Sequence, residues 1–427
     1  MSKRVVIATF GSFGDVNPYV GLALGLKQRG HRPVLATAEF YRSYIEREGI
    51  EFYPLRPDVD PRDASAMRRI MDPKRGTEYL FKEFLLPRVR ESYEDLSEAV
   101  RGADLLVTHP VTFAGPLVAE KEGVPWASTV LAPISFFSAH DLPVFSPFPL
   151  LAALRRLGPG VGRPLVGLAK RSTWRWTQPV RRLRADLGLP PGKDPIYEGQ
   201  FSPRLVLAMF SRVLAQPKLD WPPNVRITGQ VFYDGPSSNR DLQPDLARFL
   251  RSGPAPVVFT LGTSAVEAAG GFYRESLDAT RRLGVRAVLL VGRNPNNRPP
   301  GPLPEGVSSF EYAPFSTIFP RAAAMVHQGG VGTMAQALRS GRPMLVVPFA
   351  HDQPDNALRA RSLGVAKVVY PKRYSARRVA KHLRALLEEP GYRDRAGEVA
   401  RRVRSEDGVG SACEAIEELL DSPQGPL

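Results

Sequence analysis

A chain of 427 residues exceeds what one hydrophobic core ordinarily serves, and 43% apolar against 24% charged residues describes a globular protein of two or three domains. It has no run of about 18 or more apolar residues, no small-residue cleavage site after the short apolar start, and one cysteine, Cys413; this argues against a membrane span, a signal peptide, an internal disulfide and a cysteine-ligated metal, and fits a reducing cytoplasm. The formal charge of +15 is spread along the chain without zinc-ligand spacing, helix-turn-helix pattern or aromatic-rich basic sheet motif, so an anionic substrate or membrane surface is expected rather than nucleic acid.

In chain order, "RVVIAT" is a continuous β-branched run, as expected of a strand buried on both faces. A glycine-bearing turn, "GSFGDVN", follows, then "PYVGLALGLKQRG", which reads as a helix with proline in its first turn and glycine past its end. "RPVLAT", "EFYPL", "ADLLVTH", "PWASTVLAP" and "RLVLAMF" are further strand candidates with helical stretches between several of them. The proline-rich segment 143–190 interrupts the alternation. Between Asp141 and Asp186 it holds arginines, lysine, leucines, Trp174 and Trp176 but no acidic residue. Two readings stand for it: a variable insert that shapes an acceptor pocket, or a basic amphipathic surface, centred on 151–184, that touches membrane.

After a stretch bearing Pro and Asn, 229–244, the pattern restarts with "APVVFTLGT", "VRAVLLVG", "VSSFEYAP", "AAAMVH", "RPMLVVP" and "AKVVYP". The prediction is an α/β protein of two Rossmann-like, doubly wound parallel-sheet domains, 1–230 and 245–400, facing across a cleft. The tail, 401–427, is expected to form a helix packing back toward the first domain.

The least ordinary run is "MVHQGGVGTMAQAL", where Gly329, Gly330 and Gly332 separate a buried strand from a helix. Glycine weakens both kinds of element, so its presence there needs a cause. A helix start presents free N–H groups and positive dipole character, and glycines let an anion reach them. Such a terminus contributes only about 1 kcal/mol, at most about 2 when partly buried, so further donors are expected from Thr333, His327 and Gln328. In "PFAHDQPDNALR" a second strand ends at a helix, and the adjacent Asp352 and Gln353 offer a carboxylate and an amide of the kind that reads vicinal sugar hydroxyls.

The span 312–366, together with "GSFGDVNPYVGLALGLKQRGH", resembles the donor-binding and N-terminal signatures of family 1 glycosyltransferases, most closely the bacterial and sterol-glycosyltransferase-like branch. The resemblance covers nearly the whole chain. It implies the GT-B fold, a nucleotide-sugar co-substrate, inversion, and no metal or other cofactor. It places Gly262 and Thr263 at the diphosphate, and Tyr312 where many members stack a tryptophan on the base. Pro314 and Phe315 then line the nucleoside, Gly330, Val331, Gly332 and Thr333 bind phosphate, and Asp352 and Gln353 bind the sugar. Ser12 and Gly14 are expected to approach the nucleotide sugar from the first domain. Many relatives have His-His where this chain has His327-Gln328, which leaves the phosphate contact open between the two. Phe13 replaces an arginine common in sterol-type relatives.

Asp15 aligns with the catalytic base of this branch. It ends the first strand and, unperturbed, is ionised at neutral pH; the competing reading is a cap for the helix opened by Asn17-Pro18. His109 ends "ADLLVTH" and either orients that base or merely lines the pocket. The stretch 131–151, with Phe136, Phe137, Phe145 and Phe148, suggests an apolar acceptor lining with His140 and Asp141 beside it, although the aromatics equally suit a core and Asp141 a turn before Pro143. The function expected is hexosyl transfer from a UDP- or dTDP-linked sugar to a hydroxyl of a hydrophobic small molecule. The alternatives are a sugar-nucleotide epimerase and a non-catalytic carbohydrate-binding protein. An oxidoreductase is disfavoured because "GSFGD" fails the dinucleotide spacing.

Overall fold

The structure, a computed structural model, describes residues 1–58, 60, 63–146, 149–235 and 241–422, with the backbone alone described at 149–151 and 156. Phe148 lies outside the described residues. Two parallel sheets carry the fold. The first has the order β3-β2-β1-β4-β5-β6-β7, from β1 (Arg4–Ala8), β2 (Arg32–Thr37), β3 (Glu51–Pro54), β4 (Leu105–Thr108), β5 (Trp126–Val130), β6 (Val206–Ala208) and β7 (Val225–Ile227). The second has the order β10-β9-β8-β11-β12-β13, from β8 (Val257–Thr260), β9 (Ala287–Leu290), β10 (Val307–Phe310), β11 (Ala324–His327), β12 (Met344–Val346) and β13 (Ala366–Val368). Both reverse direction beside their first strand, the switch point at which such sheets bind ligands. The two-domain, doubly wound expectation holds.

The continuous apolar strands follow from burial on both faces. Successive residues of a strand point to opposite faces. In β1, Val5 and Ile7 pack with Val20 and Leu26 of the first helix, while Val6 and Ala8 pack with Leu96, Val118 and Trp126 on the other side. Each such aliphatic side chain contributes about 1.5–3 kcal/mol by leaving water. The edge strand β7 was not among the sequence candidates. Its "VRI" is short and only its last residue is buried, so no apolar run announces it.

The first helix runs Phe13–Gln28, five residues earlier than its proline suggested, so Pro18 stands inside it. Proline has no N–H, which leaves the carbonyl of Gly14, one turn back, without its helical partner. The two lobes also exchange elements. Met67, Ile70 and Met71, from helix Ala64–Ile70 and its end, pack in the second lobe's core with Val266, Ala269 and Phe349. In return Cys413, Ile416 and Leu419 of helix Gly408–Asp421 join the core of the first lobe. That helix lies so close to the first that a Cβ on Gly25 would stand 2.4 Å from Val409 Cγ1.

Candidate active site

The two glycine-rich turns meet. The turn after β1 leads into helix Phe13–Gln28, and the turn after β11 leads into helix Val331–Ser340. A Cβ on Gly332 would stand 3.2 Å from Gly14 Cα, so two helix starts from opposite lobes come into close contact at a glycine.

Chemically the two starts differ. In the first, Ser12 is the N-cap and Asp15 the third helical residue of a capping box: Ser12 N and Oγ donate to Asp15 Oδ2 at 2.8 and 3.0 Å, and Gly14 N donates to Ser12 Oγ at 3.3 Å. The cap expected at Asp15 is therefore Ser12, and Ser12's hydroxyl is spent within the turn rather than offered to a nucleotide. Both bonds fall on Oδ2, so neither occupies Oδ1. Gly11, which the sequence reading passed over, makes this possible: its φ is +133°, and a Cβ there would lie 2.4 Å from Asp15 Oδ2. Loss of water between the lobes pushes the Asp15 carboxyl above the ordinary range, and the Ser12 bonds pull it partly back.

The second start has no side-chain cap at Gly330 and no acidic residue in its first turn. Its free N–H groups keep their positive character. His327 and Gln328 have different surroundings in this turn. His327 is fully buried, its Nδ1 accepts the Gly329 N–H at 3.1 Å and its Nε2 faces Met344 Sδ at 3.4 Å. Burial drives its pKa down to about 3, so it is neutral and shapes the turn. Gln328 lies on the glycine turn instead: Nε2 donates to Thr333 Oγ1 at 3.2 Å, and its Oε1 is buried without a partner. Gly262 opens the next turn with φ +62°, and a Cβ there would lie 2.3 Å from Gln328 Nε2. Gly262, Gln328 and Thr333 thus form one packed corner, with Thr263 following in the short helix Gly262–Ala265.

Asp352 precedes helix Gln353–Ser362 without a side-chain capping bond, and its Oδ2 accepts from Asn356 Nδ2 at 2.5 Å; the same amide reaches the Gly329 carbonyl at 3.0 Å. Asn356, absent from the sequence reading, ties the two donor-side turns together. Burial first, then the charge of Asp15 across the cleft, pushes the Asp352 carboxyl up to about 7. His351 just before it holds φ +56°, and its Nδ1 meets Thr77 Oγ1 of the first lobe at 3.2 Å. Gln353 turns inward, where Oε1 accepts the N–H groups of Phe349 and Ala350 at 2.8 and 3.3 Å, so its carbonyl oxygen is not free to read a sugar. Tyr312 is 60% exposed after β10, an aromatic face open to a ligand. Pro314 starts helix Phe315–Ile318, and Phe315 stacks on Phe319 at 4.6 Å.

On the first lobe, His109 does not bond Asp15 in the structure. Its Nδ1 accepts the Val111 N–H at 3.2 Å, its ring packs on Tyr19, and burial lowers its pKa to about 3. It lines a cavity of about 960 Å³ together with Phe113, Phe136, Phe137, Val166, Tyr197 and Trp221. Phe136 stacks on Trp221 at 3.9 Å and Phe137 on Phe145 at 6.2 Å, so these aromatics serve core and wall at once. His140 and Asp141 do not line it. His140 sits half-buried in the turn, where its N–H reaches Ser138 Oγ. Asp141 instead joins Arg155, Asp355 and Arg359 in a ring of four alternating charges between the lobes, with contacts of 2.6, 3.2, 2.5 and 2.8 Å. Among the described residues no group of three or more His, Cys, Asp and Glu side chains is placed to hold a metal ion.

A pair of doubly wound parallel-sheet lobes is the arrangement of a GT-B glycosyltransferase, and the chain belongs to family 1 of these enzymes. Residues 277–419 match the Erythromycin biosynthesis protein CIII-like C-terminal domain, and residues 5–133 the Glycosyltransferase family 28 N-terminal domain. The O-mycaminosyltylonolide 6-deoxyallosyltransferase of Streptomyces fradiae is 34% identical over 98% of both chains. The sterol 3-beta-glucosyltransferase of Emericella nidulans is 29% identical over 97% of this chain, which spans 30% of that longer relative. In fold, the chain is similar to the spinosyn forosaminyltransferase SpnP, with a TM-score of 0.71 at 19% identity, covering 99% of this chain and 100% of that one. It is also similar to the glycosyltransferase VinC in complex with DTDP, with a TM-score of 0.68 at 20% identity, covering 98% of this chain and 100% of that one.

Proposed function

We propose that the protein transfers a hexosyl unit, with inversion, from a UDP- or dTDP-linked sugar to a hydroxyl of a hydrophobic small molecule such as a polyketide, phenol or sterol. The observation that carries this reading is the opposition of the two helix starts: a carboxylate on one, an uncapped anion-binding turn on the other. The donor's diphosphate sits on the N–H groups of Val331, Gly332 and Thr333, with the Thr333 hydroxyl, the Gln328 side chain and the Gly262–Thr263 turn beside it. The base stacks on Tyr312, and Asp352 meets the sugar hydroxyls.

The acceptor hydroxyl attacks the anomeric carbon as the bond to the phosphate oxygen breaks. Asp15 Oδ1 takes the acceptor proton, and the nucleoside diphosphate leaves carrying the electron pair. A carboxylate is a weak base for an alcohol, so the proton moves late, once the new bond has acidified the oxygen. Such help is worth about 10²–10⁴ in rate. Capping and base roles coexist here because Ser12 uses only one carboxylate oxygen. His109 belongs to the acceptor wall. Relatives active on tylonolide-type and sterol acceptors, together with the apolar cavity, support the acceptor class.

The test is a panel of UDP-glucose, dTDP-glucose and dTDP-rhamnose against macrolide, phenolic and sterol acceptors, read by nucleotide release and product mass, with EDTA present in one arm. Acceptor-dependent release is expected, unchanged by EDTA. Epimerised donor without transfer would replace the proposal by the epimerase reading, and binding without turnover by the carbohydrate-binding one.

A further inference from the structure

The 143–190 insert has an outer face that the transfer reaction does not use. Helix Pro159–Thr173 is pressed onto the first lobe at Gly162, where a Cβ would lie 2.0 Å from the Ala139 carbonyl. That contact fixes which side of the helix faces out. The exposed side carries Arg163, Gly167, Arg171 and, just past the helix end, Arg175, at four-residue intervals and hence on one stripe. Leu168, three residues before Arg171, is 64% exposed beside the stripe, with Leu157 at 60% before the helix and Trp174 at 51% at its end. Three of the six strongly exposed large apolar or aromatic side chains among the described residues therefore fall within this insert.

Charge pairing separates the inner from the outer cations. Lys170, Arg181 and Arg184, on the inner side, pair with Glu198, Asp194 and Glu120. Arg163, Arg171 and Arg175 are exposed and have no ion pair among the described residues. Arg163, Val166, Gly167 and Lys170 of the same helix wall the cavity that also reaches His109, so the first half of the stripe borders that cavity.

We propose that this stripe seats the enzyme on an anionic phospholipid surface, guanidinium groups at the headgroups and the Leu157, Leu168 and Trp174 side chains in the interfacial layer, so that the cavity opens beside the bilayer. Aliphatic tips among unpaired arginines are the chemistry of an interfacial helix. A polyanion such as nucleic acid would satisfy the arginines but leave both leucines in water.

The test is co-sedimentation of the full chain with phosphatidylcholine vesicles, with and without phosphatidylglycerol, at low and high salt. Binding is expected only with phosphatidylglycerol and is expected to weaken with salt. Each basic residue at such a surface is worth about fivefold in partitioning, so the Arg163→Glu, Arg171→Glu, Arg175→Glu triple variant should lose more than about a hundredfold. The Leu168→Ser, Trp174→Ser double variant should lose about tenfold or more. A control triple, Arg377→Glu, Arg378→Glu, Lys381→Glu on helix Ala376–Glu388, removes the same charge elsewhere and should shift binding less than about threefold. The proposal is overturned if wild type ignores phosphatidylglycerol, if the control triple loses as much as the insert triple, or if the serine variant binds as wild type. Thermal melts confirm that each variant is folded, and none of these readouts depends on glycosyl transfer.

Discussion

The turns after β1 and β11 are built from nearly the same parts, glycines between a buried strand and a helix at the switch point of a parallel sheet, yet they hold opposite charge. The first closes on itself: Ser12 and Asp15 satisfy the leading N–H groups, and a carboxylate occupies the positive end of the helix. The second leaves Gly330 bare and carries no acid in its first turn. What distinguishes the two turns is the cap position, serine in the first and glycine in the second.

That difference is open to experiment. The largest effect belongs to Asp15→Asn, which keeps a side-chain acceptor in the box but removes the base. Its kcat is expected to fall about 10²–10⁴-fold, with UDP or dTDP affinity nearly unchanged by calorimetry; retained turnover would break the assignment of the first turn. Next, Gly330→Asp gives the second turn the chemistry of the first. It should raise the Kd for UDP or dTDP about tenfold or more, because a carboxylate now holds the anion's place. The same substitution should stabilise the ligand-free protein by a few tenths of a kcal/mol through a new cap. Opposite signs for affinity and stability are the signature, and a loss of both would mean the turn is merely a packing device.

Ser12→Ala sharpens the role of the box. Asp15 loses a bond that favours its charged form, so its already raised pKa climbs further and the acid limb of the kcat/KM profile moves to higher pH. A profile that does not move would separate Ser12 from the base. The smallest effect is on stability. The folded pKa of Asp352, pushed up to about 7, exceeds its unfolded value of 3.8, so the folded state binds more protons between those values and loses stability as pH rises through that window. Asp352→Asn should flatten that slope and raise the Tm by about 2 °C at pH 8 while leaving it little changed at pH 4. Parallel melting curves of the two proteins across pH 4–8 would dissociate Asp352 from the Asp15 field.

Much of this was legible in the sequence, because buried strands and glycine turns are local statements. "RVVIAT" and "AAAMVH" announced their strands, and HQGGVGT and HDQ announced the cleft edge. The parts that were not legible depend on partners distant in the chain. Nothing local says that Gln353 folds back onto Phe349 and Ala350, that His327 turns into the core, or that Asp141 meets Arg359 more than two hundred residues away. Gly11 was visible as a residue but not as a need, since its positive φ is set by a carboxylate four positions on. Pro18 misplaced the first helix because proline reads as a start, while Ser12 had already supplied one.

The exchange of elements between the lobes sets the rules for recombining this enzyme with its relatives. A hybrid cut at the linker alone would strand helix Gly408–Asp421 on a foreign partner and leave Met67, Ile70 and Met71 facing a surface they were not shaped for. Crossovers that let the last helix travel with the amino-terminal half, and the 64–79 arm with the carboxy-terminal half, would keep both seams native.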